Sequence, residues 1–208
     1  VQLTPLQQKL AGLEQALPAA LAKQGTAMAL SVVVMLAAFF GLGGAKLRSR
    51  YNEARQWYTT GVAADNGYTL SEELTTRANT AANIITTGGN TLGADNAEVL
   101  AAQDALTAFQ NDLDGLNAGK TRMHAVYEDN TALGAAIDQL YAKLQEQAVD
   151  PMKMGAVQGQ YGQFNSAGTI LGNLQYNSAV YDYQNDTSGF PAGVLGGLFG
   201  VQEVEPFA

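Results

Sequence analysis

Apolar positions fall into one long block and then into stripes. From Gln24 to Ala45 no residue is charged, and in Ala27 to Ala45 the only polar side chain is Ser31. At 1.5 Å per residue this stretch is about 28 Å long as a helix, close to the hydrocarbon thickness of a bilayer. Lys46, Arg48, Arg50 and Arg55 close it on the C-terminal side. A signal peptide has a shorter apolar core near a basic start, and a buried core helix is not apolar around its whole circumference. Gly25 followed by Thr-Ala-Met-Ala-Leu resembles a type IV pilin start, but Leu30 stands where a pilin has Glu. A single membrane-spanning helix is the expectation.

Outside this block the spacing is helical throughout. Leu3, Leu6, Leu10, Leu13 and Leu17 predict a short amphipathic helix over residues 1–24, with Pro18 near its end. Leu47, Tyr51, Ala54, Tyr58 and Val62 carry the register of the apolar helix onward without a break, up to the turn at Asp65-Asn66-Gly67. Thr69 with Glu72 is a capping-box pattern. Leu70, Leu74, Ala78, Ala81 and Ile85 line the helix it opens, which Gly88-Gly89-Asn90 is expected to end. Asp95 with Glu98 opens the next, striped by Val99, Ala102, Leu106, Phe109, Leu113 and Leu116. Met123, Val126, Asn130, Leu133, Ile137, Leu140 and Leu144 follow after Gly119, up to Asp150-Pro151. A last long helix carries Val157, Tyr161, Phe164, Leu171, Leu174 and Val180 and ends near Asp186. Alternating three-four spacing calls for coiled-coil-like packing, with Asn130 as a buried amide that sets register. The expected fold is all-α: a transmembrane helix (25–45) that continues into an elongated antiparallel helical bundle (46–187). A Gly-rich apolar tail (188–208) then folds back onto the bundle end or the membrane surface near Arg48 and Arg50.

Charge refines this picture. The chain of 208 residues carries a net charge of −8. From Asp65 onward there are seventeen acids against five bases, a local charge of −12. Nucleic acid is an unsuitable partner for such a body, since phosphate neutralisation requires clustered Lys and Arg. The bases that do cluster, Lys46, Arg48, Arg50 and Arg55, suit the lipid headgroup region and a topology signal. By the positive-inside rule they place the C-terminal body in the cytoplasm. Few Lys and abundant Thr, Asn, Gln and Gly make a periplasmic or extracellular body the alternative. Ala37, Gly41 and Ala45 form a small-residue face at spacing four, through which two spans can approach and form a homo-oligomer.

Candidate chemistry is sparse. No cysteine is present, and His124 is the one histidine, so no thiolate or multi-histidine metal site is available. Asp112/Asp114 and Glu128/Asp129 are separated by one or two positions and do not share a helix face. Glu72 and Glu73 belong to a helix start. Gly88-Gly89 and the run Gly193 to Gly200 lack the strand and the Lys-Ser/Thr of a phosphate loop. No catalytic residue, cofactor or metal is assigned, and the chain is not expected to be an enzyme.

The most patterned polar tract is Tyr176-Asn177, Tyr183, Phe190-Pro191 and Leu198-Phe199-Gly200, with Tyr51-Asn52 just after the apolar block. In this order of elements the chain resembles the LemA family of bacterial membrane-anchored helical proteins. Gln184 stands where the family has a second Asn, and Val201 where it has a closing aromatic. The family's basic stretch after the first helix is replaced by the acidic, Thr-rich Tyr68 to Ala82. The resemblance implies a location and a fold rather than a reaction. It points to a scaffold or interaction protein whose partners are the lipid bilayer, itself or other envelope proteins. A sensory bundle that passes a ligand signal through the span is the alternative.

Overall fold

A computed structural model describes residues 24–147 and 151–208. The short helix expected at the N-terminus lies outside them, as does Asp150. Among the described residues the chain is helical, with no strand. The elements are α1 (Gln24–Ala54), α2 (Trp57–Thr60), a 3-10 turn (Ala63–Asp65), α3 (Leu70–Leu92), α4 (Ala97–Asn117), α5 (Met123–Glu146), α6 (Pro151–Asn173), α7 (Tyr176–Thr187) and α8 (Ala192–Leu198).

Helices α3 to α6 have 21 to 24 residues each, which makes a bundle about 30–35 Å long. Asn83 meets Gln160 and Arg77 meets Phe164, so α3 and α6 run antiparallel. Gly88 touches both Val99 and Leu140, which brings α4 and α5 against the same end of α3. The seam of α5 is buried at all seven predicted positions, Met123 to Leu144, and that of α4 from Val99 to Leu113. Burial of these stripes is the main driving force of the fold. Thr69 caps α3 as its sequence indicates, its Oγ1 accepting the Glu72 N–H at 3.1 Å.

Four expected boundaries differ. Helix α1 ends at Ala54 instead of running on to Val62; Gln56 N–H bonds Glu53 O, the helix tightens, and Trp57 and Tyr58 turn onto the bundle. Gly88-Gly89 does not end α3. Gly88 is a contact position, where a Cβ would lie 3.0 Å from Leu140, and the helix ends at Gly93 with φ +102°. Helix α4 is capped by Asn96 rather than Asp95; the Asn96 Oδ1 accepts the N–H groups of Glu98 and Val99. The last long helix is two helices, because the Asp65 carboxylate accepts the Gln175 N–H at 2.8 Å and starts α7 afresh.

Helix α1 stands apart from this bundle. From Met28 to Leu42 its side chains are exposed on all sides, Val33 at 60 % and Leu42 at 75 %. Its contacts with the rest of the chain are made from its C-terminal part, with α7 and α8.

Candidate functional site: the mount of the apolar helix

The polar residues of the C-terminal tract converge on one structure. After α8 the chain runs extended from Val201 to Ala208 and is bound by side chains along α7. Tyr176 and Asn177, and Tyr183 and Gln184, are two Tyr-amide pairs seven residues apart, hence on one face of the helix. The Tyr183 hydroxyl donates to Gln202 O at 2.8 Å, and Tyr176 to Glu205 O at 2.9 Å. Gln184 donates its amide to Val204 O at 2.9 Å. Asn177 holds both backbone groups of Phe207, donating to its O at 2.8 Å and accepting from its N at 2.7 Å. Gln184 thus binds the strap through its side-chain amide, as Asn177 does. We call residues 201–208 the strap.

At its far end the strap closes the bundle. Phe207 is buried in the main core, edge-on to Tyr127 with ring centres 5.2 Å apart. The first turn of α5 has no capping side chain of its own, and Glu205 supplies one: its Oε2 accepts the Met123 N–H at 3.0 Å while Oε1 pairs with Arg122 at 2.6 Å. A carboxylate at a helix N-terminus interacts favourably with the helix dipole. His124, for which no metal was expected, hydrogen bonds with Ala208 O at 2.5 Å and lies 3.4 Å from Glu128.

The near end of the strap holds α1. Tyr51 and Ala54 form a small second core with Tyr183, against which Trp57, Val201 and Val204 pack. Tyr51 donates to Gln202 Oε1 at 2.9 Å, and Trp57 is edge-on to Tyr183. Burial raises the hydroxyl pKa of Tyr176 and of Tyr183, so both remain neutral donors across the physiological range.

The predicted flank residues do not all face outward alone. Arg48 donates to Gly200 O at 2.6 Å, and Gly200, with φ +63°, is a position suited to glycine. Arg50 pairs with Asp186 at 2.5 Å, and Arg55 lies over the Tyr51 ring. Lys46 and Asn52 are exposed. Ala37, Gly41 and Ala45 stay exposed, with nothing within 4 Å of a Cβ built on Gly41. The small residues used inside the chain are Gly43, which meets Leu195, and Gly44, which is covered by the Phe199 ring. Gly44→Leu is expected to displace Phe199 at a cost of about 1–3 kcal/mol. Faster hydrogen exchange in residues 192–200 would register it, and Gly41→Leu would leave that segment unchanged.

Several clefts border the mount. One of about 600 Å³ lies among Arg55, Tyr58, Arg122, Tyr176 and Glu203, and one of about 460 Å³ lies between α7 and α8. Neither pairs a nucleophile with a base. Among the described residues no three His, Asp or Glu side chains gather to hold a metal. Asn130 is buried as expected, but sequence reasoning missed its partner, Arg77. Its guanidinium donates from Nε to Asn130 Oδ1 at 2.6 Å and from Nη1 to Phe164 O at 3.1 Å, and stacks 3.8 Å over the Phe164 ring. Gly134 and Gly168 leave the room for it. Desolvation by burial lowers its pKa to about 10. Among the described residues the protein is thus an all-α helical bundle bearing one helix long and apolar enough to cross a membrane. A scan of protein-family models and searches of curated proteins and solved structures give no match.

Proposed function

We propose that this chain is a single-pass, membrane-anchored scaffold or interaction protein of the bacterial envelope, a divergent relative of the LemA family without catalytic activity. One observation carries the reading: an apolar helix of span length, exposed all round, is fastened at its base by Tyr51, Arg48 and Gly44 to the strap and α8. A helix seated in this way holds its bundle at a set height and angle to the bilayer, which suits an assembly platform. The basic flank favours the inner membrane with the bundle in the cytoplasm.

Alkaline extraction of bacterial membranes, followed by mass measurement in detergent, tests this. The protein is expected in the membrane pellet, as an assembly larger than its 21.8 kDa protein mass. Gly41→Leu is expected to reduce that assembly if the spans associate. A strictly monomeric particle that retains no envelope protein would overturn the scaffold reading. Digestion of the bundle by protease added outside intact cells would overturn the orientation.

A further inference from the structure

A second uncharged window sits beside the first. From Thr187 to Gln202 no residue carries a charge. Its two ends are tied to α1 at the level of the basic flank, Asp186 to Arg50 and Gly200 to Arg48. Between these ties the chain leaves α7, reaches Leu195 opposite Gly43, and returns. From the level of Arg50 to that of Gly43 is seven residues of helix, an advance of about 10 Å toward the apolar block.

The side chains sort by face. Leu195 and Phe199 point onto Gly43 and Gly44. Phe190, Val194 and Leu198 recur at spacing four and point away, 91 %, 58 % and 69 % exposed. Leu195 and Phe199 seat this segment on α1 at Gly43 and Gly44, next to Leu42, which is 75 % exposed. Three large apolar residues left bare in water are unfavourable, whereas amphipathic helices bury an apolar face about 5–10 Å into the headgroup–acyl boundary. That depth matches the advance of this segment along α1.

We infer that residues 188–199 are a second membrane contact, an interfacial foot that inserts Phe190, Val194 and Leu198 into the leaflet beside the base of the span. The occupant of this face is lipid, because the segment is seated beside the exposed apolar surface of α1 and carries no charge. Arg48 and Arg50 then serve both sides: they tie the foot to α1 and sit at headgroup level. The foot fixes the depth of the bundle, and the strap, which begins at its end, carries that constraint to α5 and α7. This inference rests on the membrane reading above.

The chain has no cysteine, so single nitroxide labels can be placed without background. Phe190→Cys, Val194→Cys and Leu198→Cys are labelled in the full chain, reconstituted in phosphatidylcholine–phosphatidylglycerol vesicles. Val33→Cys reports the span and Leu100→Cys, exposed on α4, reports water. Accessibility to oxygen, which concentrates in lipid, is compared with accessibility to a water-soluble nickel chelate. The three foot labels are expected to shift from the water value toward that of Val33→Cys. If Val33→Cys reads as lipid while the foot labels read as water, the foot is overturned and the span stands. If Val33→Cys also reads as water, the membrane reading itself falls. Low accessibility of the foot labels to both probes would mean that a protein surface, such as a second copy, covers this face instead of lipid.

Discussion

Asn130→Ala is expected to destabilise the bundle by about 2–3 kcal/mol, the range for losing a hydrogen bond to a buried charged group. Arg77 is 6 % exposed, and its Nε has Asn130 Oδ1 as partner at 2.6 Å. Alanine removes the acceptor, so a desolvated donor on a cation loses its protein partner. For a body of this size the melting temperature of the detergent-solubilised protein falls by roughly 5–10 °C. Arg77→Met combined with Asn130→Leu removes charge and amide together, and is expected to return to within about 1 kcal/mol of the parent protein. A double variant as unstable as the sum of its single changes would show that the two side chains are not coupled.

Phe207→Ala is expected to cost about 3 kcal/mol, the lower end of the range for a buried phenylalanine, because its end of the strap has room to relax. The loss has a distinct pattern. Phe207 anchors a segment that also supplies Gln202 to Tyr51, Val204 O to Gln184 and Glu205 to the start of α5. When it lets go, Asn177 loses both its backbone partners. Hydrogen exchange is therefore expected to quicken in residues 176–187 and in the first turn of α5, while the hairpin of α3 and α4 keeps its protection. Uniform loss of protection across all helices would mean that the strap is part of one cooperative core rather than a separate clasp.

Much of the architecture is written in local spacing. The apolar block, the stripes of α4 and α5, and the Thr69 cap are all readable residue by residue. Even Arg77 lies on a regular stripe, since Leu70, Leu74, Arg77, Ala81, Ile84 and Gly88 keep an unbroken four-three rhythm and all are buried. An arginine in one seam and an asparagine in a neighbouring one are a signal for a buried polar pair. The two-pair repeat Tyr176-Asn177 and Tyr183-Gln184 marks a face of α7 that has polar work to do, but not what it binds. The site proper was less accessible: the tail motif pointed to its residues, and nothing local pointed to the extended strap that joins them.

By itself, then, the amino-acid sequence determines where the long helices lie, which of their faces are buried and which helix is apolar enough for a bilayer, but not that the Gly-rich tail contains the short helix α8. These follow from the period of each segment, a property of neighbours along the chain. The tertiary structure alone decides where several helices stop and start, and what each polar group is paired with. Asp65 starts α7 from more than a hundred residues away in sequence, and Glu205 caps α5 from eighty-two away. Gly88 permits contact with Leu140 instead of ending a helix. The physical reason is the same in each case: an orphan backbone group needs a partner in space, and a hydrogen bond carries no memory of sequence distance.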